Sequence, residues 1–237
     1  MTPFQRKMHY LFASETETHP DIKDYKKVSG QLGTNPAGVY SHKGEKYYIK
    51  HSHSNEHAHN EVLASKLYKL AGSPVVDQNL IHLGKGKLGT ISKMEDLKPM
   101  NVKSSQDKKD IQKHLGTHAW LSNWDTVGLE HDNQARDKHG EMKTIDVGGS
   151  LLYRAQGGPK GKAFGDHPSE MKTLKDSSMN PQASQVFKSI SPADEKASVD
   201  RVRNISDKDI HSTIDKYAHP EHKEFLKHTL VARKNNL

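Results

Sequence analysis

The first third of the chain changes hydrophobic period twice. Val39–Ser41 and Glu45–Lys50 (EKYYIK) carry the aromatic and β-branched residues that fit a pleated strand, and His42-Lys43-Gly44 turns the chain between them. Over Ala58–Ala71 the period becomes helical, with Leu63, Leu67, Leu70 and Ala71 at i, i+4, i+7 and i+8. Gly72 is its stop, with Pro74 just beyond. Val75–Leu83 and Leu88–Ser92 read as two more strands joined by Gly-Lys-Gly-Lys. A polar connector between Met94 and Gln106 follows, and Ile111, Leu115 and Ala119 then space a helix leading to Trp124. A short hairpin-like interval separates Asn133 from Thr144, and the Gly- and Lys-rich stretch after Gly149 is too irregular for regular structure. The last third is helical, starting at Pro192 behind a Ser191 cap, at Ser206 and at Pro220. Strands first and helices after predict an α+β fold of two lobes. Residues 1–28 are a loose lead-in with one short helix, 29–98 a small β-rich lobe, and 99–237 a mainly helical lobe.

Composition narrows this picture only at its edges. Apolar residues make up 32% of the 237, so the core is economical and the surface polar. A net charge of +7 favours acidic partners without choosing among nucleotides, inositol phosphates, anionic lipid and nucleic acid. The basic residues are scattered, with no aromatic pair on an RNA-binding motif, which argues against a nucleic-acid groove. The absence of Cys excludes disulfides, thiol catalysis and Cys-based zinc sites. The first residues have no apolar core of signal-peptide length, and no run of about 18 apolar residues occurs, so a soluble chain is expected.

The most chemically suggestive stretch is Trp124–Gly149. It places Asp125, Asp132 and Asn133 near one turn and Asp146 just before two glycines. One carboxylate to take an acceptor proton, with an amide oxygen and a second carboxylate to hold a metal between phosphates, is what phosphoryl transfer from Mg-ATP requires. Upstream, Gly30, Gly33, Thr34, Asn35 and Gly38 form a loop whose backbone can approach phosphate, although such a loop can equally be an ordinary hairpin. Lys50 ends the strand after it, and Glu61 opens the next helix as a candidate partner. Each is unremarkable alone; their order along the chain is the signal.

That order resembles the protein-kinase-like superfamily. GQLGTNPAGVY, YYIKH, NEVLASKLYKLAG, LSNWDTVGLEHDN and IDVGGSLLYRAQGGPKGKAFG are similar to a kinase-like domain of bacterial effector and phage-associated proteins, with HipA-like and Legionella-type effector kinases as looser relatives. The resemblance spans residues 29–190. It implies ATP and Mg2+ as cofactors, the Gly30–Gly38 loop as nucleotide cover, Lys50 as the phosphate lysine and Glu61 as its partner. It further makes Asp125 the catalytic acid/base and Asn133 and Asp146 the metal ligands, with Asp132 a rival for metal or base. The implied reaction transfers phosphate to a hydroxyl, in particular a protein Ser or Thr. An inert pseudokinase that binds nucleotide or inositol polyphosphate as a scaffold is the alternative. A bacterial cytoplasm, a phage particle or a host cell after delivery all suit such a protein.

Two departures accompany the match. Asn133 follows Asp125 by eight positions, against five in H-R-D-x-x-x-x-N, and Asn123-Trp124 replaces His-Arg. The extra residues can loop out at Gly128. Val147 replaces the Phe of D-F-G, which removes a packing switch and keeps the ligand.

Other patterns mislead or add less. Gly84-Lys-Gly-Lys-Leu-Gly89 matches G-x-G-x-x-G but continues as strand, so it reads as a hairpin turn. Gly158-Pro-Lys160-Gly-Lys162 fails the P-loop pattern, yet Arg154, Lys160 and Lys162 could bind an anion such as an inositol polyphosphate. Of 17 histidines, His51, His53, His57 and His59 crowd the start of the first helix, and a surface that gains charge on acidification accounts for them better than zinc does.

Overall fold

The computed structural model describes residues 19–30 and 36–237. Its first hairpin joins β2 (Ala37–His42) to β3 (Glu45–Lys50) through Lys43 and Gly44, both at positive φ (49° and 80°), the tight turn whose twist suits antiparallel strands. β3 also pairs with β5 (Lys87–Lys93), which pairs with β4 (Asn79–Gly84) through a turn at Lys85-Gly86, again at positive φ. The G-x-G-x-x-G match is therefore a hairpin turn, as its strand context implies. An outer strand, β1 (Lys26–Ser29), completes the antiparallel order β1-β2-β3-β5-β4. β1 lies partly inside the expected lead-in. Its all-exposed KKVS sequence has no alternation to announce it.

Alternation along β3 decides where Lys50 points. Ile49 joins Tyr40, Ile81 and Ile91 in a cluster on one face of the sheet. Lys50 therefore projects from the opposite face, where the first long helix packs. That helix, α1 (Asn55–Leu70), is capped by Ser54, whose Oγ accepts from His57 N. It starts three residues before the apolar period does, because its first turn is polar. Ala58 and Val62 pack on Leu80 of the sheet, while Leu63, Leu67 and Tyr68 enter the main core with Trp120, Leu121, Leu151, Ile210 and Leu230. A helix buried on both sides shows a broad apolar pattern, and α1 is shared by the sheet and the helical part.

The segment after α1 departs from the expected strand. Residues 75–78 form a bridge, Val75 to Thr144, and the true strand begins at Asn79. The polar connector contains β6 (Leu97–Pro99), which joins β7 (Gln134–Asp137) and β8 (Met142–Thr144) in a second antiparallel sheet. The single helix expected from Ile111, Leu115 and Ala119 is two, α2 (Ser105–Gln112) and α3 (Leu115–Trp120), with His114 outside helical geometry between them. Gly116, inside the second of them, permits a close approach, since a Cβ there would strike the backbone of Ser198. Beyond α4 (Glu170–Thr173) come α5 (Pro181–Phe187), α6 (Pro192–Arg203), α7 (Asp207–Tyr217) and α8 (Lys223–Asn235). Ser191 and Ser206 cap α6 and α7 as expected, and Pro220 opens a 3-10 turn ahead of α8. No helix among the described residues is long and apolar enough to cross a membrane. The result is an α+β fold with a β-rich N-terminal part and a helical C-terminal part.

Candidate active site

Lys50 is the centre of a half-buried charge cluster. Its Nζ lies 2.6 Å from Glu61 Oε1 and 3.1 Å from Asp146 Oδ2. Burial alone would lower the pKa of this lysine, but the two carboxylates outweigh it and hold the group above its ordinary value. Lys50 in turn keeps Asp146 below the usual carboxylate range against the cost of its own burial, helped by the Gly148 N–H at 2.9 Å. Glu61 lies in the second turn of α1, because the helix begins at Asn55.

The hairpin β7–β8 brings the remaining groups together. Gln134 pairs with Thr144, and Ile145 N donates to Asn133 O at 2.9 Å, so the residues flanking the hairpin, Asn133 and Asp146, are carried to one end. Asn133 Nδ2 donates to Asp125 O (2.7 Å) and to Asp125 Oδ2 (3.2 Å), which leaves its amide oxygen as the atom on offer to a cation. Burial, and then the charges of Asp146 and, more weakly, Asp132, push Asp125 up to about 6 despite the hydrogen bond from Asn133.

The eight-residue spacing is absorbed as the sequence allows. Gly128 turns at φ 76°, Asn133 N reaches back to Val127 O, and Leu129 and Glu130 stand out in solvent. Asp132 is exposed on this bulge, its Oδ1 filling the space a Cβ on Gly128 would need. It influences Asp125 through its charge and lies at the rim of the cluster. Val147, in place of an aromatic ring, is fully buried in the main core with Leu63 and Leu67.

Of the glycine loop, Gly33, Thr34 and Asn35 lie outside the described residues. Gly30 is exposed, and Gly38 sits within β2 opposite Ile49. A Cβ on Gly38 would press on Lys27 and the Ser29 carbonyl of β1, so packing between strands is a sufficient reason for this glycine.

Several supports of the cluster were not legible in the sequence. His57, Asn60 and Glu61, at i, i+3 and i+4, make a polar stripe along α1. Asn60 is buried and clamps the segment after Asp146, donating to Ser150 O (3.0 Å) and accepting from Leu152 N (3.1 Å). His57 stacks on Tyr153 at 3.7 Å, and its Nε2 meets Gly157 O at 2.6 Å. Half-buried with partners, His57 and His59 are not the free surface imidazoles expected, whereas His51 and His53 are exposed. Under the cluster, His118 is buried and pulled down to about 3, hence neutral, with Nδ1 2.8 Å from Tyr68 Oη and 2.7 Å from Thr126 Oγ1. Asn123 Nδ2 donates to the same Tyr68 hydroxyl at 2.9 Å. Both flanks of Asp125 are thereby braced.

Lys160 requires a correction. Its ammonium is buried and donates to Ser122 O, to Gly149 O (2.8 Å) and to Ser122 Oγ (3.3 Å), so it is not presented to an anion. Burial pulls its pKa down to about 7. It ties the loop before Asp125 to the loop after Asp146. Arg154 and Lys162 are exposed.

No family model matches the chain, and no curated protein does. Solved structures do. The crystal structure of a Helicobacter pylori proinflammatory kinase, CtkA, superposes with a TM-score of 0.60 at 14% identity, over 92% of this chain and 95% of that one. The choline kinase LicA from Streptococcus pneumoniae aligns over 99% and 98% at 11% identity, with a TM-score of 0.39 that is too loose to bear on the site. The chain has a two-lobed kinase-like fold.

Proposed function

We propose that this chain is an ATP- and Mg-dependent phosphotransferase acting on a hydroxyl. The observation that carries the reading is the Lys50 ammonium held by Glu61 and Asp146, beside an Asn133–Asp125 pair at the same end of the β7–β8 hairpin. The cluster suits a nucleotide and its cation. Lys50 supplies fixed positive charge for phosphate oxygens, and a divalent ion would relieve the like-charge crowding that, after burial, raises Asp125. Asn133 and Asp146 would hold that ion, and Lys50 would bind the phosphates. Bound there, Mg-ATP supplies the phosphoryl group and neutralises charge as it develops.

The chain's own work is positional. Glu61 keeps Lys50 aimed, Asn133 orients Asp125, and an Asp125 carboxylate oxygen takes the proton of the attacking hydroxyl. The acceptor in this reading is a protein Ser or Thr. Exposed Trp124 and Leu129 flank Asp125, and Met179 stands beside Asn180, whose Nδ2 donates to Trp124 O, so the approach is open and apolar enough for a polypeptide side chain. The lobes would meet near residues 98 and 99, and the kinship with bacterial effector and HipA-like kinases belongs to the same reading.

Parallel incubations with γ-labelled and α-labelled ATP test it. Label should pass to protein from γ-labelled ATP alone, and only with Mg2+. Transfer from the α-label would mark a nucleotidyl transferase. ATP binding without any turnover would mark an inert scaffold. Either result overturns the proposal.

A further inference from the structure

A second set of ligating groups lies outside this cluster, where the first turn of α1 meets the turn between α7 and α8. His219 Nε2 is 3.9 Å from Glu56 Oε1 across that junction. One ligand atom from each of Glu56, His219 and Glu221 falls within 4.8 Å of the others. Ligands of a tetrahedral zinc, at about 2.0–2.1 Å from the ion, stand about 3.3 Å apart. Closing this set around an ion thus takes movements of about 1.5 Å or less, within the reach of glutamate rotamers.

Two observations set the junction apart from an ordinary solvated cluster. The His219 side chain is only 21% exposed with its Nε2 turned to Glu56, and its Nδ1 is buried with no hydrogen-bond partner among the described residues. Other imidazoles also converge on it: His59 lies edge-on to His219 at 5.5 Å, and His222 is tilted against it at 5.8 Å. His59 is fixed by Tyr217 O at 2.9 Å, so Glu56 and His59, at i and i+3, together face this turn. Imidazole with carboxylates is a donor set suited to Zn(II).

We propose that Glu56, His219 and Glu221 form a Zn(II) site, completed by water, that fastens α1 to the turn between α7 and α8. Such a clamp would act on the helix that carries Glu61, and its existence does not depend on what the Lys50 cluster catalyses. The histidines singled out in the sequence around residues 51–59 contribute only a neighbour, His59, rather than the ligands.

The test is a calorimetric titration of the chelator-treated full chain with Zn(II), in an Asp146→Ala background so that the other carboxylate cluster does not compete. One saturable equivalent is expected, with a higher melting temperature. Glu221 is exposed, so Glu221→Gln should leave the fold intact and weaken binding by about tenfold or more, as should Glu56→Gln and His219→Ala. His53→Ala, an exposed imidazole outside the set, should change nothing. Absence of saturable binding, or affinity unmoved by Glu221→Gln and His219→Ala, overturns the proposal.

Discussion

Asp146→Ala is expected to lower phosphoryl transfer by about 10³-fold or more while the chain stays folded. Asp146 contributes twice to the cluster. One oxygen pairs with Lys50 at 3.1 Å, and the other accepts from Gly148 N at 2.9 Å, beside the Asn133 amide. Its loss removes both a charge for a divalent ion and half of what positions Lys50. The fold tolerates the change because the side chain is 39% exposed and Lys50 keeps Glu61. Asp125 also loses the like charge that helps hold it near 6, so its pKa should fall towards the ordinary carboxylate range. Initial rates with γ-labelled ATP, together with circular dichroism, measure the main effect. Retention of a tenth of the wild-type rate would be incompatible with the assigned role.

Asp125→Asn should lower transfer by about 10²–10⁴-fold and, in the absence of nucleotide and metal, make the protein more stable. The sign follows from the raised pKa. The carboxyl titrates at about 6 in the fold against an ordinary 3.8, so the fold prefers its neutral form. The stabilising contribution of the protonated group is present below about pH 4 and is lost as pH rises through about 6. At neutral pH the ionised Asp125 is a burden of about 1 kcal/mol, a two-unit shift discounted for the partial exposure of the side chain. Relieving it should raise the melting temperature by about 2–4 °C. For the wild type, kcat/KM for Mg-ATP, which reports the free enzyme, should fall about tenfold per pH unit below about 6, as the base becomes protonated. A variant no more stable than wild type, with a wild-type rate flat through this range, would remove Asp125 from the role of base.

The sequence carried the cluster further than it carried the fold around it. Lys50, Glu61, Asp125, Asn133 and Asp146 are chemically marked residues in a recognisable order along the chain, and all five are joined by direct contacts or neighbouring strand positions. The eight-residue gap was readable because Gly128 can adopt positive φ. β3 and α1 were readable because each buries a periodic face. By contrast, β1 lies at a sheet edge with every residue exposed, so burial imprints no pattern on it. Val75 and Val76 are apolar enough for a strand but are held by bridging to Thr144 instead, a contact made by distant sequence. Asn60, Tyr68 and His118 looked like parts of helices because their roles depend on which loops pack against them. Lys160 misled for a related reason. A lysine among glycines looks solvated, and only the fold shows three oxygens from two loops around its ammonium.

The central claim is that a single cluster anchored by Lys50 carries out transfer from Mg-ATP. It is tested most directly by measuring γ-phosphate transfer by wild type and Lys50→Ala side by side, with both proteins shown to be folded. Lys50 pairs with both Glu61 and Asp146, so its removal should lower the rate by about 10²-fold or more. Equal rates for the two proteins would contradict the account.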